Sequence, residues 1–523
     1  MVQNNIQLIA PGTFEAEKHY YPKVINAQIH PLISYFFNMS KVSLIKRYCH
    51  LNPQVKKEKL LEILTYQPAK LRWAGADLFY ATTDTGRRKM VVLETNSCPS
   101  GQKSMPLRTE DDELGGYRFL LEKIFCPLLK NKRLPNGKLA VIYDKNYMEA
   151  SGYASALSEL ENEEVLLVSS YKNDPEPLIR FTDGILEVRY NSTWQPIRAA
   201  FRYITQTPWN RIPIHTKTLI FNPILACLAG GRNKMVAAKA YDIYNSELEG
   251  SGLSIVTPET IYDVSKEEIP LWVTRFGGHA VVKIPYSNAG QGVFTITNEQ
   301  ELDHFMSQDY DYNQFIVQSL IGNSEWSSHT KSGKLYHIGT IPNKKGNIFV
   351  ADLRMMLIST KDGFRSTALY ARKAAAPLKD TLEENSNSWE MLGTNLSIKL
   401  GKNDWDSETS RLLMMDCRDF NQLGIGIDDL IEGFVQTILA IIAIDKLEKI
   451  GKSGVTDELF DRGYNDVQVE KIFDVLDVGS DLSKLKLKIT DEEGLEGVKE
   501  LEELFGYLDK MKIKVAAFDV TLA

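Results

Sequence analysis

Three groups of residues in this 523-residue chain could do chemistry together. Glu94 and Asn96 stand two apart in KMVVLETNSCPSG, so a strand there turns both side chains to one face. Asp77, in the preceding run GADLFYATT, would lie on the neighbouring strand of a hairpin. Carboxylate and amide oxygens of this kind suit Mg2+ when phosphates and water complete its octahedron. Taken alone, the three residues read more readily as a solvated polar face. In VVKIPYSNAGQGVFTI an apolar strand delivers Lys283, and a turn containing Gly290 and Gly292 allows backbone N–H groups to approach phosphate oxygens that the lysine neutralises. The run does not match GxxxxGK[ST], and alone it is an ordinary hairpin turn. ADLRMMLIST and STALYARKAA place Asp352 and Arg354 at strand alternation and Arg372 on the next strand, where guanidinium groups suit bidentate binding of phosphate or carboxylate.

The elements that must position these groups follow from apolar periodicity. Helical patterning runs through YPKVINAQIHPLISYFFNMS and KKEKLLEIL, and changes to two strands joined by the polar turn Thr83–Gly86. A new unit opens near Asn136: the strand KLAVIYD, a helix through YASALSELE and the strand VLLVSS, an alternation that predicts a small parallel sheet. No glycine-rich dinucleotide fingerprint follows its first strand. TKTLIFNPI reads as a strand and RNKMVAAKAYDIYN as a helix. Strands recur at AVVKIPY, GVFTIT and FIVQSLI, and a hairpin-rich stretch continues to about Ala376 before a helix-rich tail. RAAFRYITQTPWNRIP holds Arg198, Arg202, Trp209 and Arg211, a set that suits either an acidic substrate or a packed, salt-bridged connection.

Composition bounds the rest. At roughly 100–200 residues per domain the length implies two to four domains, and 43% hydrophobic with 25% charged residues is a globular mixture. A net charge of −7 argues against a chain-wide grip on nucleic acid or anionic membrane while leaving room for a local basic groove. Cys49, Cys98, Cys126, Cys227 and Cys417 form no CxxC pair, which argues against a disulfide framework or structural zinc. Cys98 has no base in its motif to make it a nucleophile. The N-terminal run lacks a signal-peptide pattern, and the longest apolar run, 434–444, is interrupted by Gln436 and Thr437 and is too short to span a membrane. It reads as a buried helix, and the protein is expected to be cytoplasmic.

Together these segments resemble the ATP-grasp superfamily of ATP-dependent ligases. GADLFYATTDTGRRKMVVLETNSCPSG resembles that superfamily's metal-binding segment, with an unusually long spacing between its carboxylates that the tip TTDTGRR absorbs. RNKMVAAK resembles the helix start that supplies a lysine, here Lys234. VVKIPYSNAGQGV resembles the lysine strand and phosphate loop, FIVQSLI the hinge strand beside adenine with Gln318, and DLR and ARKA the two arginine strands. TNLS, with Asn395, resembles the segment that follows them. In ordinary members the Glu-x-Asn segment comes last, whereas here it comes first. The order resembles the circularly permuted branch, similar to glutathionylspermidine synthetase-like ligases, in which an FNP-type strand such as FNPILACLAGGRNK also leads into the lysine helix.

The resemblance covers roughly residues 60–400. It implies an α+β (α/β) fold: a permuted ATP-grasp with an embedded small α/β domain and a C-terminal helical appendage. The expected divisions are 1–110 for the part bearing the Glu-x-Asn segment, 111–225 for the α/β domain, 226–440 for the nucleotide-binding subdomains and 441–523 for a helical tail. That tail, through IDKLEKIGKSGVTDELFDRGY and EEGLEGVKELEELFGYLD, resembles the insertion of histidyl-tRNA synthetases without their catalytic motifs.

The resemblance further implies a carboxylate–amine ligase working through an acyl phosphate and releasing ADP and phosphate. Asp77, Glu94 and Asn96 would hold Mg2+. Lys234, Lys283 and Gln318 would bind ATP beneath a loop of Ser287, Asn288, Gly290 and Gly292, and Arg354 and Arg372 would serve catalysis. Asn395 and Arg202 are candidates for substrate or phosphate. The partners implied are ATP, a small-molecule or peptide carboxylate and an amine. Oligomeric state is not set by the sequence. Two other readings use the same site: a silent nucleotide- or partner-binding module, and a phosphotransferase with another acceptor.

Overall fold

The computed structural model describes residues 6–107, 112–171, 174–204, 211–213, 215–224, 226–285, 292–310, 312–382, 387–399 and 405–452. The chain divides into a unit of residues 1–451 and a second of residues 452–523. The first is a mixed α/β assembly of four sheets. The resemblance to a histidyl-tRNA synthetase insertion falls mostly on residues 453–523, outside those described.

The predicted hairpin is present: Trp73–Thr83 and Arg88–Ser97 pair antiparallel. They belong to a six-stranded sheet with Ala351–Thr360, Gly363–Lys373, Leu412–Leu413 and Leu335–His337. Its register sets the chemistry. Asp77 lies opposite both Glu94 and Arg354, Arg354 opposite Tyr370, and Asp352 opposite Arg372. Directly opposed residues of antiparallel strands share a face, so four strands present one polar row. A bulge between Asp77 and Leu78 breaks the hairpin register immediately beside that row.

A four-stranded antiparallel sheet (Thr260–Ser265, Gln314–Ser319, Ala280–Lys283, Val293–Ile296) carries a second face. Gln318 pairs with Val281 and Thr260, and Lys283 with Ile316 and Val293, so these residues point together. Gly292, immediately before the strand Val293–Ile296, has φ 125°, a conformation that excludes a side chain without strain.

The α/β alternation near residue 136 forms a seven-stranded sheet. Lys138–Tyr143 pairs in parallel with Val165–Ser169 and Thr193–Tyr203, which in turn pairs in parallel with Leu219–Phe221. Ile6–Ile9, the first described strand, joins this sheet antiparallel to Val165–Ser169. The apolar run at 434–444 lies in the helix Ile427–Lys452, buried on all sides from Phe434 to Ile444. That helix continues past residue 440. Within it the buried Asp445 accepts hydrogen bonds from Tyr66 Oη (2.8 Å) and from the backbone N–H groups of Ala69, Lys70 and Leu71 (3.0–3.3 Å). The compact unit therefore closes near residue 451 rather than 440.

Candidate active site

The two polar sheet faces and the α/β region line one cleft of about 280 Å³. Asp77, Glu94, Asn96, Lys234, Lys283, Gln318, Arg354, Arg372 and Asn395, spread over more than 300 positions of sequence, all reach it. Ser287, Asn288 and Gly290 lie outside the described residues.

Glu94 and Asn96 point the same way, with Asn96 Nδ2 3.4 Å from Glu94 Oε1. Asn96 Oδ1 accepts from Arg232 Nη1 at 3.2 Å. The expected third metal oxygen is differently engaged. Asp77 Oδ1 accepts from Arg354 Nε and Oδ2 from Arg354 Nη2, both at 2.6 Å, and Oδ2 also accepts from Arg372 Nη2 at 2.7 Å. Burial would raise the Asp77 pKa, but the two guanidinium groups outweigh it and hold the carboxyl well below the usual range. With both oxygens taken, Asp77 anchors the arginines instead of offering a metal ligand. Arg372 also donates to both oxygens of Asp352. Burial pushes the Asp352 pKa up, against the pull of Arg372. Among the described residues no group of three His, Cys, Asp or Glu side chains could hold a metal alone, so phosphates and water would have to complete a site at Glu94 and Asn96.

Lys234 opens the helix Lys234–Glu247, whose cap Asn233 accepts from the backbone N–H groups of Met235 (3.1 Å) and Val236 (3.2 Å). Burial lowers the Lys234 pKa, partly offset by Glu94. Lys283 is pulled down to about 8 by burial and by Lys234, against the attraction of Glu94 and Asp77. The two lysines thus face Glu94 across the cleft as a partly dehydrated cationic pair. Gln318 Nε2 donates to Thr260 Oγ1 at 2.8 Å.

Arg202 corrects the sequence reading. It is fully buried away from the cleft and donates to the carbonyls of Asn222 (2.6 Å), Ile204 (2.7 Å) and Pro223 (3.4 Å) and to Cys227 Sγ (3.3 Å). Arg211 likewise pairs with Asp144 at 3.1 Å, and Arg198 with Glu163. These three arginines bond within the fold, and Trp209 of the same run lies outside the described residues. Sequence reasoning also passed over Lys103, Lys145 and Arg232, which do line the cleft. Lys145 follows the C-terminal end of the parallel strand Lys138–Tyr143, where open α/β sheets bind ligands, and that position was the available signal. Lys103 sits in a turn pinned by the buried Glu149, which accepts from Ser100 Oγ (2.6 Å), Gly101 N (2.8 Å) and Gln102 N (3.0 Å). A side chain at Gly101 would meet Met356 Sδ at 2.2 Å, so the turn packs directly against the Met356 side chain of the six-stranded sheet.

No family model matches the chain. It is similar to two curated histidine–tRNA ligases: that of Cytophaga hutchinsonii, 34% identical over 89 residues, and that of Clostridium tetani, 34% identical over 88. Each match spans 16% of this chain and 20% of the relative, so the chain covers about a fifth of the length of the curated relatives it matches. Among solved structures it is similar to a RimK domain ATP-grasp protein from Sphaerobacter thermophilus, with 14% identity over 44% of this chain and 90% of that chain and a TM-score of 0.27. It is similar to a glutathione synthetase-like effector from Globodera pallida, with 11% identity, 65% and 81% coverage and a TM-score of 0.34. It is also similar to D-alanyl-alanine synthetase A from Vibrio cholerae, with 11% identity, 45% and 88% coverage and a TM-score of 0.27. Likeness at these scores assigns no activity; the chain is a mixed α/β protein with its candidate site between two sheets.

Proposed function

We propose that this chain is an ATP-dependent ligase of the ATP-grasp type that joins a carboxylate to an amine. The observation that carries the reading is that Lys234 and Lys283, delivered by a helix start and by the four-stranded sheet, converge with Glu94 of the six-stranded sheet in one cleft. A triphosphate between them would be neutralised by two desolvated ammonium groups, and partial dehydration strengthens each interaction. Apolar side chains along the same wall, Val281, Ile316, Leu320 and Ile321, suit a planar base, with Gln318 able to address its edge. Residues 226–440 would thus form the nucleotide-binding portion, completed by the earlier segment around residues 73–97.

Glu94 and Asn96 fit a hard divalent ion shared with phosphates, because the Glu94 carboxylate shares a face with the Asn96 amide oxygen, which keeps a second lone pair beside the one used by Arg232. Mg2+ held there would supply charge neutralisation at the nucleotide's phosphates. The chain's own residues do the positioning on which phosphoryl transfer depends. Arg354 and Arg372, locked by Asp77 and Asp352, present fixed donors where charge develops as the acid's oxygen takes the phosphoryl group. The amine then displaces phosphate from the acyl phosphate.

The test is ADP and phosphate release with paired acids and amines, and mass spectrometry for a product one water lighter than its components. Release that requires both substrates supports the reading. Mg-ATP binding without turnover across a broad panel leaves a silent binding module, and phosphate recovered on a hydroxyl acceptor leaves a phosphotransferase.

A further inference from the structure

The cleft holds more positive charge than a nucleotide site explains. Two electrostatic groups overlap at Arg232, which acts on both Lys234 and Lys145. The charged groups that act on Lys283 are Glu94, Lys234 and Asp77, whereas those that act on Lys145 are Arg232, Asp144, Arg354 and Lys103. The second group lies against the C-terminal edge of the parallel strands, flanked by Asn146 and Tyr203.

Three of its cations have no carboxylate partner among the described residues. Lys103, 7% exposed, donates to Asn146 Oδ1 at 3.1 Å and lies 5.0 Å from the Tyr21 ring centroid. Arg232 donates to Asn96 Oδ1 (3.2 Å) and to the carbonyls of Ser97 (2.9 Å) and Cys98 (3.3 Å), while its Nε is buried without a partner. Lys145 is half-buried at the cleft wall. The nearby carboxylates are already committed: Asp144 to Arg211, and Asp77 and Asp352 to Arg354 and Arg372. Burial and the surrounding cations bring the Lys145 pKa down to about 7. Clustered, partly dehydrated cations that the protein does not neutralise are stabilised by an anionic ligand.

We infer that Lys103, Lys145 and Arg232 form a subsite for a polycarboxylic acid, binding the carboxylate groups that do not react. The inference rests on the ligase reading for the acid's role as co-substrate, but the binding itself does not require turnover. A monocarboxylate would leave most of the cluster unpaired. An acid with two or three carboxylates reaches Arg354 with one group and the cluster with the others.

The experiment is calorimetric titration of acetate, succinate and tricarballylate into the full chain, without nucleotide or magnesium. Affinity should rise with carboxylate number, with tricarballylate binding about tenfold or more tighter than acetate. Lys103→Met and Lys145→Met should each weaken tricarballylate about tenfold, Lys145→Arg should retain it, and the affinity for the non-hydrolysable analogue AMP-PNP should change less than about twofold. Thermal melts establish that the variants fold. Saturating AMP-PNP with magnesium should leave tricarballylate bound. Equal affinity for the three acids, indifference to both Met substitutions, or displacement of tricarballylate by AMP-PNP overturns the subsite. Failure of AMP-PNP to bind, with tricarballylate behaving as described, overturns the nucleotide site and spares the subsite.

Discussion

The two sides of the cleft handle charge in opposite ways. On the six-stranded sheet, Arg354 and Arg372 are 12% and 11% exposed and bonded into a lattice with Asp77 and Asp352. On the α/β side, Lys103, Lys145 and Arg232 face the cavity with no carboxylate partner among the described residues. The first arrangement fixes guanidinium direction at little net charge, as orienting a reacting group requires. The second keeps net charge available and leaves direction loose, as attracting an anion requires. The contrast shows why residue type alone is a poor guide to role: all five are cations, and only their partners separate them.

The largest expected effect breaks the lattice. Asp77→Ala strands the buried Arg354 guanidinium and leaves Arg372 with Asp352 alone, and should cost about 3–5 kcal/mol in denaturant unfolding. A cost below about 1 kcal/mol would mean that water, and not Asp77, satisfies the arginines. Next, Glu94→Ala should lower ADP release about 10²–10³-fold while leaving the melting temperature near that of the parent. A merely structural role would reverse that pattern.

Asp445→Ala supplies a control carboxylate outside the cleft that accepts from a phenol and three backbone N–H groups. Leaving those donors unsatisfied should cost about 2–3 kcal/mol with no change in nucleotide affinity. The effect of opposite sign falls on the other wall. Lys145→Met removes a cation that burial and its cationic neighbours disfavour and should raise stability at pH 6. The sign of its pH dependence is set by the lowered pKa. Between about 7 in the fold and roughly 10.4 unfolded, the unfolded chain binds more protons, so stability rises with pH. The penalty from Lys145 is complete below pH 7 and relaxes toward pH 10, and the parent should gain on Lys145→Met across that window in urea titrations.

Much of this was legible in the sequence because strand alternation is a short-range signal. The alternation on either side of Thr83–Gly86 gave the hairpin, and with it the shared face of Glu94 and Asn96. The all-round apolar character of 434–444 gave the buried helix. What was not legible depends on long-range pairing. Arg202 and Arg354 look alike in sequence, yet one ends among backbone carbonyls and the other opposite Asp77. Asp77 offers the same two oxygens to a metal or to arginines, and the choice depends on a register with a strand some 277 positions away. Lys145 is a single lysine after a strand, and only its place at the edge of a parallel sheet distinguishes it.

The central claim is that the acid's carboxylate accepts the γ-phosphoryl group of ATP before the amine attacks. Turnover with a carboxylate labelled in ¹⁸O tests it most directly. The account expects one labelled oxygen in each phosphate released, with formation of the amide product. Unlabelled phosphate accompanying amide formation, or AMP and pyrophosphate in place of ADP, would contradict it.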